Sequence, residues 1–212
     1  MVLPLFPLPT TVLFPNVFLP LHIFEPRYRA MVANALQSDR MIGMVLLKPG
    51  WERDYEGRPP TYPIGCSGVI THVERLPDGR FNLVLRGLER FRVVEEDGTR
   101  SYRQATVEPL VEQPVTGDDR LALRSKRAKL EALIAPTVDP GPGAGQPRDP
   151  GISAMSDEDF VNALAQYLDI APLEKQALLE RDSLRGRADA LVELLEMKIL
   201  MARTPGLSHV AH

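Results

Sequence analysis

Prolines interrupt the apolar residues at the start of this chain at short distances. The segments LPLFPL at 3–8, VLFPN at 12–16 and LPLHIFEPRY at 19–28 follow one another, and Pro15 and Pro20 are among the interrupting residues. Each proline lacks a backbone N–H and disfavours helical geometry in the residue before it, so an uninterrupted helix does not fit here. The sequence therefore predicts short extended strands joined by bends.

A helix is predicted directly after these strands. Pro26 is suited to a first helical turn, and the apolar positions that follow share one face. They are Tyr28, Met31, Val32, Ala35 and Leu36. Glu25 and Arg27 beside Pro26 could form an acid–base or ion-pair site, but we favour a structural role in which Glu25 serves the unpaired amides of the helix N-terminus.

The pattern then returns to strands as far as about residue 113. Turn signals at Pro77-Asp78-Gly79 and Asp97-Gly98 separate alternating segments, and Gly65 with Gly68 indicates a bulge. The predicted strands are Met41–Leu47, Ile64–Leu76, Phe81–Arg86, Leu88–Glu95 and Tyr102–Val111. We expect an antiparallel meander that curls to close its edges.

One polar loop, Lys48–Pro63, is long for a connection, and long loops are often functional or mobile. It contains Trp51, Tyr55 and Tyr62. Aromatic rings in a loop supply rigid contact area, so these three residues and Phe24 are our candidates for partner binding.

After Pro114 the composition becomes helical. We predict a β domain at 1–115 and a helical bundle at 116–212, with helices at Asp118–Ala135, after Ser156, after Pro172 and around Leu191. Residues 136–151 hold five prolines and four glycines, which predicts a flexible loop inside the helical domain.

The ordered segments at 3–32, with IGCSGVI at 64–70 and LRGLERFRV at 85–93, closely resemble the N-terminal domain of Lon proteases and the stand-alone bacterial proteins built around it. The resemblance implies an α+β fold, in which a PUA-like antiparallel β pseudo-barrel with one inserted helix precedes a helical bundle. It also implies a role in recognising and positioning polypeptide substrates.

The chain lacks the catalytic motifs of a Lon protease. No Gly-Lys pair of a phosphate-binding loop is present, and nothing after residue 115 resembles a Ser–Lys peptidase domain. We therefore expect a freestanding, non-enzymatic relative that needs no cofactor.

Composition argues against several other functions. Cys66 is the only cysteine and excludes a disulfide within the chain, while His22, His72, His209 and His212 show no metal-ligand spacing. Residues 1–115 carry 13 basic and 13 acidic side chains, and 116–212 carry 12 and 15, which makes a nucleic-acid binder unexpected. We expect no metal site, no membrane span and a cytoplasmic protein.

The leading hypothesis is a module that binds unfolded or extended polypeptide segments, in the service of a protease or chaperone system. The alternatives are an RNA-interacting PUA-like module, using basic residues such as Arg124 and Arg127, or an accessory subunit of an ATP-dependent protease.

Overall fold

The computed structural model describes residues 1–112, 115–135 and 154–203. The predicted loop at 136–151, like His209 and His212, lies outside these residues. The strands are β1 (Val2–Leu8), β2 (Phe18–Ile23), β3 (Met41–Leu46), β4 (Ile64–Arg75), β5 (Phe81–Asp97) and β6 (Arg103–Pro109), and the helices are α1 (Pro26–Ala35), α2 (Gly117–Ile134), α3 (Asp157–Tyr167), α4 (Pro172–Leu179) and α5 (Leu184–Arg203). The α+β fold class is thus confirmed.

The strands form one sheet in the order β2-β5-β4-β3-β1-β6, and a further pairing of β5 with β6 closes five of them into a barrel. Only the β1–β3 pair is parallel among the described strands. The predicted bulge is present, since the register of β4 against β5 shifts between Cys66 and Gly68.

Strand β1 accommodates its prolines because its two halves have different neighbours. Val2–Leu5 pairs with β6, whereas Leu5–Leu8 pairs with β3. Pro4 and Pro7 each have a partner strand on one side only, and such edge-like positions tolerate a residue that has no N–H to donate to the ladder. The inward-facing residues Leu3, Leu5, Val45, Phe91, Ala105 and Val107 form a core cluster.

Strand β5 corrects one prediction. The sequence predicts two strands separated at Gly87, but β5 runs unbroken from Phe81 to Asp97. A Cβ atom at Gly87 would lie 2.0 Å from the backbone oxygen of Phe14. Gly87 therefore permits the segment before β2 to cross closely over the strand, and it does not end the strand.

The chain divides into two compact units, which differ from the predicted division at residue 115. The first comprises Met1–Val111 and Asn162–Glu180, and the second comprises Glu112–Val161 and Arg181–His212. Polar side chains of 162–180 explain the grouping with the strands: the Gln166 Oε1 atom accepts from the Phe14 N–H (3.1 Å), and Gln176 Nε2 donates to the Ile64 carbonyl (2.9 Å).

The buried face of α3 differs from the one that the apolar positions in the sequence predict, which are Phe160, Ala163, Leu164, Tyr167 and Leu168. Phe160 is buried as that spacing predicts, but Tyr167 is 66% exposed, and Asn162 and Gln166 are buried instead. The sequence also predicts that Ser156 caps this helix through its hydroxyl, and the structure confirms it, since the hydroxyl accepts from the Asp159 N–H at 3.0 Å.

In the second unit α2 and α5 pack together and are joined by ion pairs between Lys126 and Asp189 (2.6 Å) and between Lys129 and Glu196 (2.7 Å). Within the described part of the chain, no helix has both the length and the apolar content that a membrane span requires.

Candidate functional site

The start of α1 and the loop at 47–63, here called the β3–β4 loop, come together in the first unit. An isolated bridge between Leu47 and Thr61 closes the base of this loop, and a 3-10 turn at Trp51–Asp54 forms its tip. The sequence leaves open whether the loop is mobile. In the structure it is fixed at its base by backbone hydrogen bonds and near its tip by side chains.

Glu25 and Arg27 provide the side-chain attachment. Arg27 Nε and Nη2 each lie 3.0 Å from Glu25 Oε2, and Arg27 Nη1 donates to the Tyr55 carbonyl at 3.2 Å. The Tyr55 hydroxyl donates to the second oxygen of Glu25. A single carboxylate thus holds both the guanidinium and the phenol, and charge-assisted hydrogen bonds of this kind are the stronger class.

This arrangement corrects the role predicted for Glu25. The residue occupies the N-cap position of α1, but its side chain makes no capping hydrogen bond. Its oxygens are used by Arg27 and Tyr55 instead. The ion-pair interpretation, which we considered less favourable from the sequence, describes the observed contacts.

Aromatic rings surround the guanidinium of Arg27. Its Cζ atom lies 4.7 Å from the ring centre of Tyr28 and 5.0 Å from that of Tyr55, and Trp51 meets Tyr55 edge-on at 5.4 Å. We call these five residues, Glu25, Arg27, Tyr28, Trp51 and Tyr55, the Arg27 cluster. A cation over an aromatic face is attracted by the ring quadrupole, which adds to the ion pair.

The environment of the cluster changes its protonation equilibria. Burial raises the pKa of Tyr28 to about 12, and the positive charge of Arg27 opposes that shift. Burial, followed by the hydrogen bond to Glu25, raises the pKa of Tyr55. Burial alone would lower the pKa of Arg27, but Tyr28 and Glu25 outweigh it and raise the value. Both phenols therefore remain neutral hydrogen-bond donors near neutral pH.

The structure brings together two of the four predicted partner-binding residues. Trp51 and Tyr55 share the cluster, whereas the rings of Tyr62 and Phe24 stack on neither of them. Tyr62 lies beneath the ammonium of Lys48 (5.8 Å), and Phe24 is 59% exposed after β2. Their roles in binding stay predictions.

A small cavity adjoins the cluster and was not predicted. It has a volume of about 200 Å³, and four arginines line it: Arg27, Arg58, Arg100 and Arg103. These residues are far apart in the sequence, but one signal was available. Arg103 precedes Ala105 and Val107 in the inward-facing alternation of β6, and an arginine at a core-facing position needs a partner.

The described residues show little support for other chemistries. No group of three or more His, Cys, Asp or Glu side chains converges among them. Cys66 is fully buried, and both ring nitrogens of His22 contact neighbouring polar side chains, Asn82 at 2.7 Å and Arg80 at 3.3 Å.

The basic residues of α2 are partly engaged within the second unit. Arg127 pairs with Glu131 (3.0 Å) and Asp157 (3.1 Å) and lies over the Phe160 ring. The side chain of Arg127 is 14% exposed, whereas Arg124 is exposed. The pair of arginines proposed for RNA contact therefore does not form a shared free surface.

Comparison with known proteins gives a consistent result over nearly the whole chain. The model of the ATP-dependent protease La (LON) substrate-binding domain matches residues 2–197. Lon protease 2 of Myxococcus xanthus is 27% identical over 198 residues, which is 93% of this chain and 24% of that protein. Lon protease of Dictyoglomus thermophilum is 35% identical over 116 residues, which is 53% of this chain and 14% of that protein. The chain thus spans about a quarter or less of the Lon proteases it matches.

Two solved structures share the fold. The N-terminal domain of Mycobacterium avium complex Lon protease superposes with a TM-score of 0.70 at 16% identity, over 92% of this chain and 98% of that one. A Lon N-terminal domain protein from Xanthomonas campestris gives a TM-score of 0.57 at 21% identity, over 97% and 99%. At these identities the likeness concerns the fold alone.

Proposed function

We propose that this chain, which belongs to the family of Lon substrate-binding domains, is a polypeptide-binding module with no catalytic activity of its own. The observation that carries the proposal is the Arg27 cluster, which holds two aromatic rings of a long loop in fixed positions. The partner would be an unfolded or extended segment of another protein, delivered to or received from a protease or chaperone system.

Preorganisation is the physical reason for choosing this surface. A loop that must be ordered on binding loses affinity through the entropy of its side chains. Here the ion pair between Glu25 and Arg27 and the hydrogen bond from Tyr55 already impose that order. Trp51 and Tyr55 are both partly exposed, so their rings combine a fixed position with accessible area.

Strand β2 is a less suitable site for a bound polypeptide, although it lies at the edge of the sheet. The Gly87 N–H donates to the Val17 carbonyl at 2.8 Å, so alternation along the pair directs the backbone groups of Phe18 and Pro20 away from β5. Pro20 has no N–H to offer there, and the Phe18 carbonyl already accepts from the Tyr167 hydroxyl at 2.8 Å. We therefore expect recognition through side chains and not through an added strand.

The proposal is tested by fluorescence anisotropy with a panel of labelled peptides that includes apolar, extended sequences. Trp51→Ala and Tyr55→Ala should each weaken binding by about tenfold, as expected for an aromatic anchor at an interface. The control is Leu121→Ala, which truncates an apolar side chain that is 69% exposed on α2. No binding across the panel, or equal affinity of all three variants and the parent, would contradict the proposal.

The only tryptophan of the chain provides a second readout. Trp51 sits in the proposed contact surface, so unlabelled peptides should change its emission in proportion to the bound fraction. A mobility assay with RNA at low salt separates the alternative function, because a phosphate binder should shift strongly under those conditions. A shift that Arg124→Gln abolishes would favour RNA.

A further inference from the structure

The cavity beside the Arg27 cluster, which we call the arginine cavity, has guanidinium groups of two kinds. Arg27 and Arg103 are neutralised by carboxylates outside the lining: Arg27 pairs with Glu25 at 3.0 Å, and Arg103 pairs with Glu96 at 3.2 Å. Arg103 also donates to the Pro59 carbonyl and is 6% exposed. These two arginines are structural parts of the wall.

Arg58 and Arg100 are different. Both are exposed, and neither forms an ion pair within the described residues. Arg58 donates to the backbone oxygen of Asp97 at 3.1 Å, and Arg100 donates to the Tyr102 hydroxyl at 3.1 Å. Each guanidinium has five N–H donors, so most of their donors are available to a ligand.

Two phenols complete the lining. Tyr102 is 5% exposed, and its oxygen accepts from Asn34 (2.9 Å) and Arg100, which leaves its own proton for another acceptor. Tyr28 is 4% exposed, and its hydroxyl bonds to no described residue. A phenol at the cavity wall whose proton is not taken by another side chain can donate it to a ligand.

Charge and volume restrict what can bind. The four guanidinium charges face the carboxylates of Glu25, Glu96 and Glu56, the last of which also lines the cavity. Asp97 adds a fourth, exposed carboxylate near Arg58, and the amide and hydroxyl of Thr99 donate to its oxygens. The charges therefore balance, and it is the unused N–H and O–H donors of the cavity that select a group which only accepts hydrogen bonds, such as a carboxylate. The volume of about 200 Å³ is smaller than that of cavities that hold drug-sized ligands.

We propose that the arginine cavity binds one carboxylate group of a bound polypeptide, held by Arg58 and Arg100 and hydrogen-bonded by Tyr28 and Tyr102. The inference rests on the proposed polypeptide-binding function and adds an anionic requirement to its substrates. The planar fork of a guanidinium matches a carboxylate bidentately, and Tyr28 connects the cavity to the aromatic rings of the Arg27 cluster. Apolar contacts with the Arg27 cluster would then supply buried area, and the carboxylate in the cavity would fix the position of the bound polypeptide along the surface.

The carboxylate has two sources, a chain terminus or an acidic side chain, and paired peptides distinguish them. One pair differs in a free or amidated C-terminus, and the other carries an internal Glu or Gln. We expect about tenfold weaker binding for the neutral member of one pair. Arg58→Gln and Arg100→Gln should each remove that difference, while Arg92→Gln, an exposed arginine outside the cavity, should preserve it.

A measurement without peptides separates this inference from the proposed function. In ¹H–¹⁵N spectra of the full chain, N-acetylglycine should shift the amides of Gly57 and Ser101, which line the cavity, and N-acetylglycinamide should not. If peptides bind with no charge preference and these amides stay in place, the cavity proposal is overturned and the function stands. If inorganic phosphate shifts them and N-acetylglycine does not, the carboxylate assignment is wrong. Shifts with N-acetylglycine in a protein that binds no peptide would support the cavity and refute the function.

Discussion

The hydrogen bond from Tyr55 to Glu25 offers a direct test of how the β3–β4 loop is held. Tyr55→Phe removes only the hydroxyl and keeps the ring against Trp51 and Arg27. Glu25→Gln keeps the shape of the side chain and removes its charge. Tyr55→Phe removes one contact of this carboxylate and Glu25→Gln weakens the contacts to both partners, so their effects should depend on each other.

The expected magnitudes follow from exposure. A hydrogen bond to a charged group contributes about 1.5–3 kcal/mol, and we take the lower value for Tyr55→Phe because the Glu25 side chain is 19% exposed. Glu25→Gln leaves the Arg27 charge without its partner. The exposure of this ion pair lies between that of surface pairs and that of buried pairs, so we expect its loss to lower the free energy of unfolding by about 2 kcal/mol. In the double variant the shared bond is lost only once, so we expect a coupling energy of about 1 kcal/mol.

Urea denaturation of the four proteins measures this cycle, with midpoints followed by Trp51 fluorescence and by far-ultraviolet circular dichroism. The same four proteins should be titrated with a binding peptide, because a loosened loop should also bind less tightly. A coupling energy below about 0.5 kcal/mol would show that the two changes act independently. The cluster would then not fix the loop as we argue.

Two further predictions concern single positions. Gly87→Ala should lower the free energy of unfolding by about 1–3 kcal/mol, because the added Cβ would collide with the Phe14 carbonyl. The control is Gly117→Ala, whose Cβ would have no atom within 4 Å and which should be neutral or stabilising. Thermal denaturation measures both. The raised pKa of Tyr28 favours the neutral phenol in the folded state, so its contribution to stability is complete below pH 10 and is lost as the pH rises towards 12. Tyrosinate absorbance of the parent and of Tyr28→Phe should therefore coincide up to about pH 11 and differ above it; divergence near pH 10 would contradict the assignment.

Local patterns in the sequence were sufficient for much of the fold. Proline spacing predicted strands at the N-terminus, and the apolar stripe of α1 predicted the burial of Tyr28, Met31, Val32 and Ala35, all of which the structure confirms. Gly87 was interpreted wrongly as a strand end, because its requirement comes from a segment more than 70 residues earlier in the chain. Such a contact leaves no trace in local alternation.

The burial of polar residues in the helices at 162–180 was not predicted, for a related reason. Hydropathy places Gln166 and Gln176 at the surface, yet each is buried and satisfies a backbone group of the β unit. The candidate site divides in the same way. The aromatic loop was recognisable from its length and composition, whereas Arg58 and Arg100 are far apart in the sequence and meet only because the fold places both at one cavity.

Pro20 also affects what copies of this molecule can do to one another. Strand β2 carries Phe18, which is 50% exposed, and Phe24 follows its end. Without the proline, this apolar edge strand could pair with the same strand of another copy. A proline on the outward side interrupts the ladder that such pairing needs, and the Tyr167 hydroxyl occupies the neighbouring carbonyl. The protein can thus expose aromatic side chains at the edge of its sheet while strand-to-strand pairing between copies, which would lead to fibrils, is hindered.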